Sequence, residues 1–313
     1  MECVPGESPK RPTETPVAEP DVGTSDNSRT SGTPTATSQA TSWAISRGRD
    51  RARRTIGRVI ELRTLAEIEQ MRAAGRFVAS VLEAAAEAST VGKNLLSLDK
   101  LAHDMIRKAG AESCYIDYHP SFGASPFGKV LCTSVNDAAL HGLPHDYALR
   151  DGDLVSLDFA ASVNGWVADS AISFVVGTAA PEDTALIDTT SRALDAGIAA
   201  ATVGNRVGDI SAAIGAVAHA DGYSVNVDFG GHGVGRTMHG DPHIPNDGRP
   251  GRGLPLRAGL VFAIEPWLMI GTDRIFTDPD GWTLRSEDGS RAAHVEHTVA
   301  ITENGPIVLT ARR

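Results

Sequence analysis

The sequence predicts an α+β fold in which one helix-then-strand unit is built twice. Helical periodicity followed by strand-like runs occurs first between residues 64 and 163, then again between 183 and 301. Asn164-Gly165 joins two alternating runs, a strong short signal for a two-residue hairpin. The strands are hydrophobic enough to be covered on both faces, as in a large domain with helices packed on a sheet. The 313 residues, 41% hydrophobic and 22% charged, have the ordinary soluble-globular composition such a fold needs.

Residues 1–42 contain 20 Ser, Thr or Pro and hardly any large apolar side chain. Such a stretch cannot bury enough surface to offset its ordering entropy, so residues 1–58 are expected to form a disordered tail. The tail ends in an arginine cluster: Arg47, Arg49, Arg51, Arg53, Arg54 and Arg58. We read it as a solvated linker rather than as a docking patch for RNA or the ribosome. Pro9-Lys10-Arg11-Pro12 fits a PxxP pattern, which says little inside a Pro-rich tail.

The folded domain is expected over 59–313. Thr64 with Glu67 makes a capping box, and Ile68, Met71, Gly75, Val78 and Leu82 follow at helical spacing. A second helix puts Leu98, Leu101, Met105 and Ile106 on one face and stops at Gly110. Residues 130–135 and 153–163 read as strands, with Val155, Leu157 and Phe159 alternating against Ser156, Asp158 and Ala160. Helical patterns return over 183–202 and 208–220, the second stopped by Gly222. Leu260–Ile264 and Val295–Ile301 are again strand-like.

Net charge is −10 with pI near 5.4, which gives no electrostatic reason to expect nucleic acid or an anionic membrane as partner. Three cysteines, Cys3, Cys114 and Cys132, lack CxxC spacing and argue for a reducing compartment. No run approaches the ~20 apolar residues of a membrane span. The N-terminus also lacks the apolar core of a signal peptide, so a cytoplasmic location is expected.

Candidate chemistry lies in the last two-thirds of the chain. With Asn164-Gly165 at the turn, residue 158 faces residue 171, so Asp158 and Asp169 become diagonal neighbours on one sheet face. Two such carboxylates repel unless something positive lies between them or the face is open to solvent. In Gly230-Gly231-His232-Gly233-Val234-Gly235, glycines on both sides of the histidine permit close approach to metal or substrate. A lone histidine is more often structural, but His239 follows seven residues later, ahead of an expected Asp241-Pro242 turn. A phosphate-binding loop lacks its Lys-Ser/Thr or strand-GxGxxG-helix context. Glu265 ends one apolar run and Glu296 sits between Val295 and His297 in another. Glutamate is disfavoured in strands, so each needs a partner or an exposed face. Together these groups make a hard, oxygen-rich donor set, suited to a pair of Mn, Fe, Co or Zn ions rather than to a thiolate zinc site.

In this order the elements resemble type I methionine aminopeptidases of the bacterial kind, across residues 59–311, with an N-terminal extension. The matching strings are Cys132-Thr-Ser-Val-Asn136-Asp, His141-Gly-Leu-Pro144 and Asp153-Leu-Val-Ser-Leu-Asp158, with Asp169 eleven residues on. Then come Gly231-His232-Gly233-Val-Gly-Arg236 with His239, Ile264-Glu265-Pro266, Asp280-Gly-Trp282-Thr and Glu296-His-Thr298. The resemblance implies a pita-bread fold, a pseudo-twofold antiparallel sheet covered by helices. It also implies removal of the initiator methionine by two divalent ions, with a small second residue favoured.

By the same resemblance, Asp158 chelates one metal, Asp169 and Glu296 bridge both, and His232 and Glu265 complete the other. The cations lower the pKa of a water between them. Glu265 is the expected proton acceptor and later donor. His239 would steady the scissile carbonyl oxygen, and His141 would contact the scissile nitrogen. Cys132, Met238 and Trp282 match the walls of a methionine pocket, with Tyr118 and Phe122 as additions. Sulfur–aromatic contacts favour methionine over leucine there by ~0.3–1.5 kcal/mol. The expected partners are nascent or peptide N-termini beginning with Met, with possible ribosome proximity and a monomeric enzyme.

Two departures stand out: Gly240 replaces a glutamate common after the second histidine, and the loop Ser121–Lys129 is long. A proline-specific aminopeptidase or dipeptidase of the same fold would share all five ligands. Those relatives carry Glu-Pro-Gly where this chain has Glu265-Pro266-Trp267, and they lack the Cys-Thr-Ser-Val-Asn run. A metal-free binding protein would have lost ligands, and all five positions are filled. Type II methionine aminopeptidases need a helical insertion for which this chain has no room. Valine 59 is also what a GTG start codon would encode, and no Met lies between Met1 and Met71. Residues 1–58 are thus expected to be untranslated or dispensable.

Overall fold

The computed structural model describes residues 60–120 and 125–312. The expected tail, its arginine cluster, the PxxP match, Val59 and Phe122 lie outside the described residues. Helix α1 (Leu65–Ala88) starts as expected: Thr64 Oγ1 accepts from the Glu67 amide, and the Glu67 carboxylate accepts from the Thr64 amide at 2.8 Å. Helix α2 (Leu95–Ala109) ends at Gly110 with φ 64°, a left-handed cap that glycine adopts without strain. Its buried stripe is Leu95, Leu98, Ala102 and Ile106; Leu101 and Met105 are half-buried beside it.

Strands β1 (Glu112–Ser113), β2 (Cys132–Val135), β3 (Ala138–Leu140), β4 (Leu154–Val163) and β5 (Trp166–Val175) complete the first half. The second half repeats the order, with α3 (Pro181–Ala200) and α4 (Val207–Ala220) ahead of strands. These are β6 (Ser224–Val225), β7 (Gly230–Gly233), β8 (Gly240–Pro245), β9 (Val261–Ile264) and β10 (Trp267–Met269). They continue as β11 (Ile275–Thr277), β12 (Leu284–Ser286), β13 (Ala292–His294), β14 (Glu296–Thr302) and β15 (Gly305–Val308). Nine strands form one antiparallel sheet in the order β1-β4-β5-β14-β9-β7-β8, with β2 on β4 and β15 on β14. Two three-stranded sheets, β13-β10-β6 and β11-β12-β3, flank it. Asp241-Pro242 lies inside β8 as a cis peptide and is not the expected turn. Edge strands tolerate proline because one row of amides needs no ladder partner, and β8 ends the sheet order.

The β4–β5 hairpin turns at Asn164 and Gly165, φ 54° and 72°, closing on the Val163–Trp166 pair. That register fixes the faces. Leu157, Phe159, Ala161 and Ala168 pack with α1 and α2, including Val78, Leu82, Leu98 and Ile106. In the second half Phe262, Ile264, Val295, Val299 and Ile301 pack with α3 and α4 residues. Residues on the opposite sheet face, Ala160, Val167, Ala263 and Ala300, join a separate cluster with Cys132, Met238 and Trp282.

The halves meet where β5 pairs with β14, at Ala171–Glu296 and Ser170–His297. One step further a side chain replaces the backbone ladder. Thr298 Oγ1 accepts from the Asp169 amide at 2.9 Å and donates to the Asp169 carbonyl at 2.7 Å. Ser170 Oγ donates to the Glu296 carbonyl at 2.6 Å. Hydroxyls therefore hold the seam at the point where Asp169 and Glu296 stand.

Candidate metal centre and substrate pocket

Asp158 pairs with Ala171 and Asp169 with Ala160, which makes the two aspartates diagonal neighbours on one face. Glu296 also stands opposite Ala171, across the seam. Asp169 is 3% exposed and Glu296 2%, so neither carboxylate lies on a solvated face. His232 projects from β7, whose other three residues are glycines that let the strand sit between β8 and β9. A Cβ on Gly231 would lie 2.1 Å from the Ala263 carbonyl oxygen, and one on Gly233 would lie 2.1 Å from that of Asp241. Glu265 follows β9, its carbonyl held at 3.0 Å by the Asn246 amide nitrogen.

Donor atoms of Asp169, His232 and Glu296 all lie within 4.8 Å of one another. His232 Nε2 is 3.8 Å from Asp169 Oδ2 and 3.5 Å from Glu265 Oε1. Asp158 joins through Tyr115, whose hydroxyl is 2.6 Å from Asp158 Oδ1 and 3.3 Å from Asp169 Oδ1. All five expected ligand positions therefore converge. Burial is the main force on the four carboxyl groups and pushes each above the ordinary carboxylate range. Repulsion from neighbouring carboxylates adds to this at Asp169, Glu265 and Glu296. Burial also holds His232 neutral, its pKa well below the usual histidine value. Glu296 Oε1 is buried with no hydrogen-bond partner among the described residues, although such an atom is costly to leave unpaired. The hard O/N chemistry of this donor set fits a divalent cation.

Of the two histidines expected to contact substrate, His239 closes on the same place. His239 stacks edge-on against His232, ring centroids 4.2 Å apart, and its Nδ1 is 2.8 Å from the Tyr118 hydroxyl. His141 has φ 55°, an uncommon conformation for a residue with a side chain, and its ring meets Phe229 edge-on at 5.7 Å. Burial lowers both His141 and His239 to about 4, so both are neutral donors or acceptors at neutral pH. Cys132, Met238 and Trp282 share one buried cluster, with Tyr118 at its edge. Burial, followed by the nearby carboxylates, pushes the Cys132 thiol well up, so it acts as a small apolar wall. Gly240, the departure from the family pattern, has nothing closer than 3.4 Å to an added Cβ. No close approach demands glycine there.

Several residues of the site carry no sequence signal. Phe127 forms edge-on pairs with Trp282 at 5.1 Å and with Tyr115 at 5.7 Å. His294, 2% exposed, has Nε2 3.7 Å from Glu265 Oε2. Tyr115 touches two of the carboxylates. Only the match of Thr298 to the Glu-His-Thr string hinted at the seam.

Residues 69–303 match the family model of metallopeptidase family M24. The chain is 44% identical over 260 residues to methionine aminopeptidase 1 of Mycobacterium tuberculosis, covering 81% of this chain and 96% of that protein. The crystal structure of methionine aminopeptidase from Rickettsia prowazekii superposes with a TM-score of 0.77 at 34% identity, over 81% of this chain and all of that one. Prolidase from Pyrococcus furiosus shares the fold at a TM-score of 0.63 and 24% identity, over 80% of this chain and 66% of that one. The curled antiparallel sheet with its paired helices is the pita-bread fold of these neighbours. This chain belongs to metallopeptidase family M24, and within it to the type I methionine aminopeptidases.

Proposed function

We propose that the chain removes N-terminal methionine from nascent and free peptides with two divalent ions held by Asp158, Asp169, His232, Glu265 and Glu296. The observation that carries this is the convergence of those side chains, with an orphaned Glu296 oxygen, beside a thiol, thioether and aromatic cluster. Bound there, the two cations would bring a water's pKa toward neutrality and take the substrate's free α-amine. Glu265 would accept a proton from the attacking water and return it to the leaving nitrogen. His239, steadied by Tyr118, offers a hydrogen bond to the scissile carbonyl oxygen as charge develops there, and neutral His141 contacts the scissile nitrogen. Cys132, Met238, Trp282, Tyr118 and the added Phe127 form an apolar, polarisable wall for the methionine side chain. The donor chemistry accepts Co, Mn, Fe or Zn.

A peptide panel tests this. Met-Ala, Met-Gly and Met-Ser peptides should be cleaved, formylated or acetylated ends refused, and bulky second residues turned over poorly. Chelation should abolish turnover and added metal restore it. Preference for Xaa-Pro over Met-Ala would move the chain to the proline-specific relatives, and full activity after chelation would sink the metal mechanism.

The enzyme is further proposed to act as a cytoplasmic monomer; among the described residues no helix is long and apolar enough to cross a membrane. Residues 1–58 are proposed to be dispensable for catalysis. Deleting residues 2–58 should leave peptide kinetics and melting temperature near those of the full chain. Truncation that impairs methionine excision in cells, but not on free peptides, would instead favour a docking role near the ribosome.

A further inference from the structure

We propose that Tyr115 is a positioning residue of the metal centre. Its phenol hydroxyl sets the Asp158 and Asp169 carboxylates relative to each other, so removing that one oxygen weakens divalent-cation binding without disturbing the fold. The inference rests on the assignment of Asp158 and Asp169 as ligands.

The backbone at Tyr115 is pinned. Ser113 pairs with Ala161 of β4, and the next amide, that of Cys114, donates to the Ala160 carbonyl. Ser113 Oγ accepts from the amides of Tyr115 and Ile116 at 3.1 and 3.3 Å. The Tyr118 amide then donates to the Tyr115 carbonyl at 2.9 Å. The residue thus hangs from the edge of the strand that carries Asp158. Its ring packs edge-on against Phe127, and the whole residue is 6% exposed, so the ring is held in the interior.

From that fixed base the hydroxyl meets Asp158 Oδ1 at 2.6 Å and Asp169 Oδ1 at 3.3 Å. A phenol has one proton. At 2.6 Å it goes mainly to Asp158 as a short, charge-assisted bond, with Asp169 Oδ1 at 3.3 Å as a weaker second acceptor of the same proton. The two aspartates sit on different strands, and their proposed roles differ: one chelates, the other bridges. A single rigid group touching both fixes how the carboxylates turn toward a cation. Outer partners of this kind are typically worth about 10–100-fold in metal affinity.

The test is calorimetric titration with Mn2+ of the wild type, Tyr115→Phe and Tyr115→Leu. Tyr115→Phe keeps the ring against Phe127 and should bind Mn2+ about 10–100-fold more weakly. Its ion-free melting temperature should stay close to wild type. Turnover of a Met-Ala peptide should fall at limiting Mn2+ and recover at saturating Mn2+, which a purely structural lesion would not show. Tyr115→Phe titrating like wild type overturns the inference, as does weakened binding confined to Tyr115→Leu, which would assign the effect to the ring. Loss of turnover that saturating Mn2+ does not repair also overturns it. Wild-type protein that takes up no Mn2+ overturns the ligand assignment itself, a distinct result.

Discussion

Asp169→Asn and Glu296→Gln should each lower kcat/KM on a Met-Ala peptide by at least ~10³-fold, a loss of ~4 kcal/mol of transition-state stabilisation. Each replacement keeps the shape of the side chain and removes one of the charges that gather a cation, at positions proposed to touch both ions. Stability should move the other way. Burial and neighbouring carboxylates raise both groups above their ordinary values, so in ion-free protein their charged forms oppose folding as pH rises through the carboxylate range. Ion-free Asp169→Asn and Glu296→Gln should therefore melt no lower than wild type at pH 7. Either variant retaining activity within tenfold of wild type would refute the bridging roles.

Gly231→Ala should be among the most damaging single methyls near the site. The added Cβ would lie 2.1 Å from the Ala263 carbonyl oxygen, 3.0 Å from its carbon and 3.1 Å from Ile244 Cβ. The nearest two atoms are backbone, and β7 is held between β8 and β9, so no side chain can swing aside. Overpacking of this kind costs about 1–3 kcal/mol or more, a melting decrease of roughly 2–4 °C per kcal/mol in a domain of this size. The displaced strand carries His232, so cation affinity should fall with stability. Gly240→Ala is the control: with its nearest neighbour at 3.4 Å, it should melt within ~0.5 kcal/mol of wild type. Equal melting of the two variants would show that β7 is free to shift.

The parts of the fold governed by local rules were legible in advance. The capping box at Thr64, the left-handed stop at Gly110 and the Asn164-Gly165 turn each depend on residues within a few positions of one another. Because the turn sets the register, the diagonal placement of Asp158 and Asp169 followed from it. The motif strings named the five side chains that converge, Asp158, Asp169, His232, Glu265 and Glu296. What escaped depends on distant segments meeting. Tyr115 reaches Asp158 across 43 residues and Thr298 reaches Asp169 across 129, and neither tyrosine nor threonine advertises such a partner. The Asp241-Pro242 turn failed for a related reason. Proline suits a turn locally, and only the place of β8 at the sheet edge makes it acceptable in a strand.

The seam between β5 and β14 also sets an order in time. A chain that has formed only the β4–β5 hairpin presents two mutually repelling aspartates and no histidine. Glu296 joins them through contacts spanning 126 residues, and closing so long a loop is a late and slow event. Before that closure the donor set is incomplete, so a cation is expected to bind late. A cation bound at the seam should therefore slow unfolding more than it speeds folding, which unfolding and refolding rates with and without Mn2+ would check.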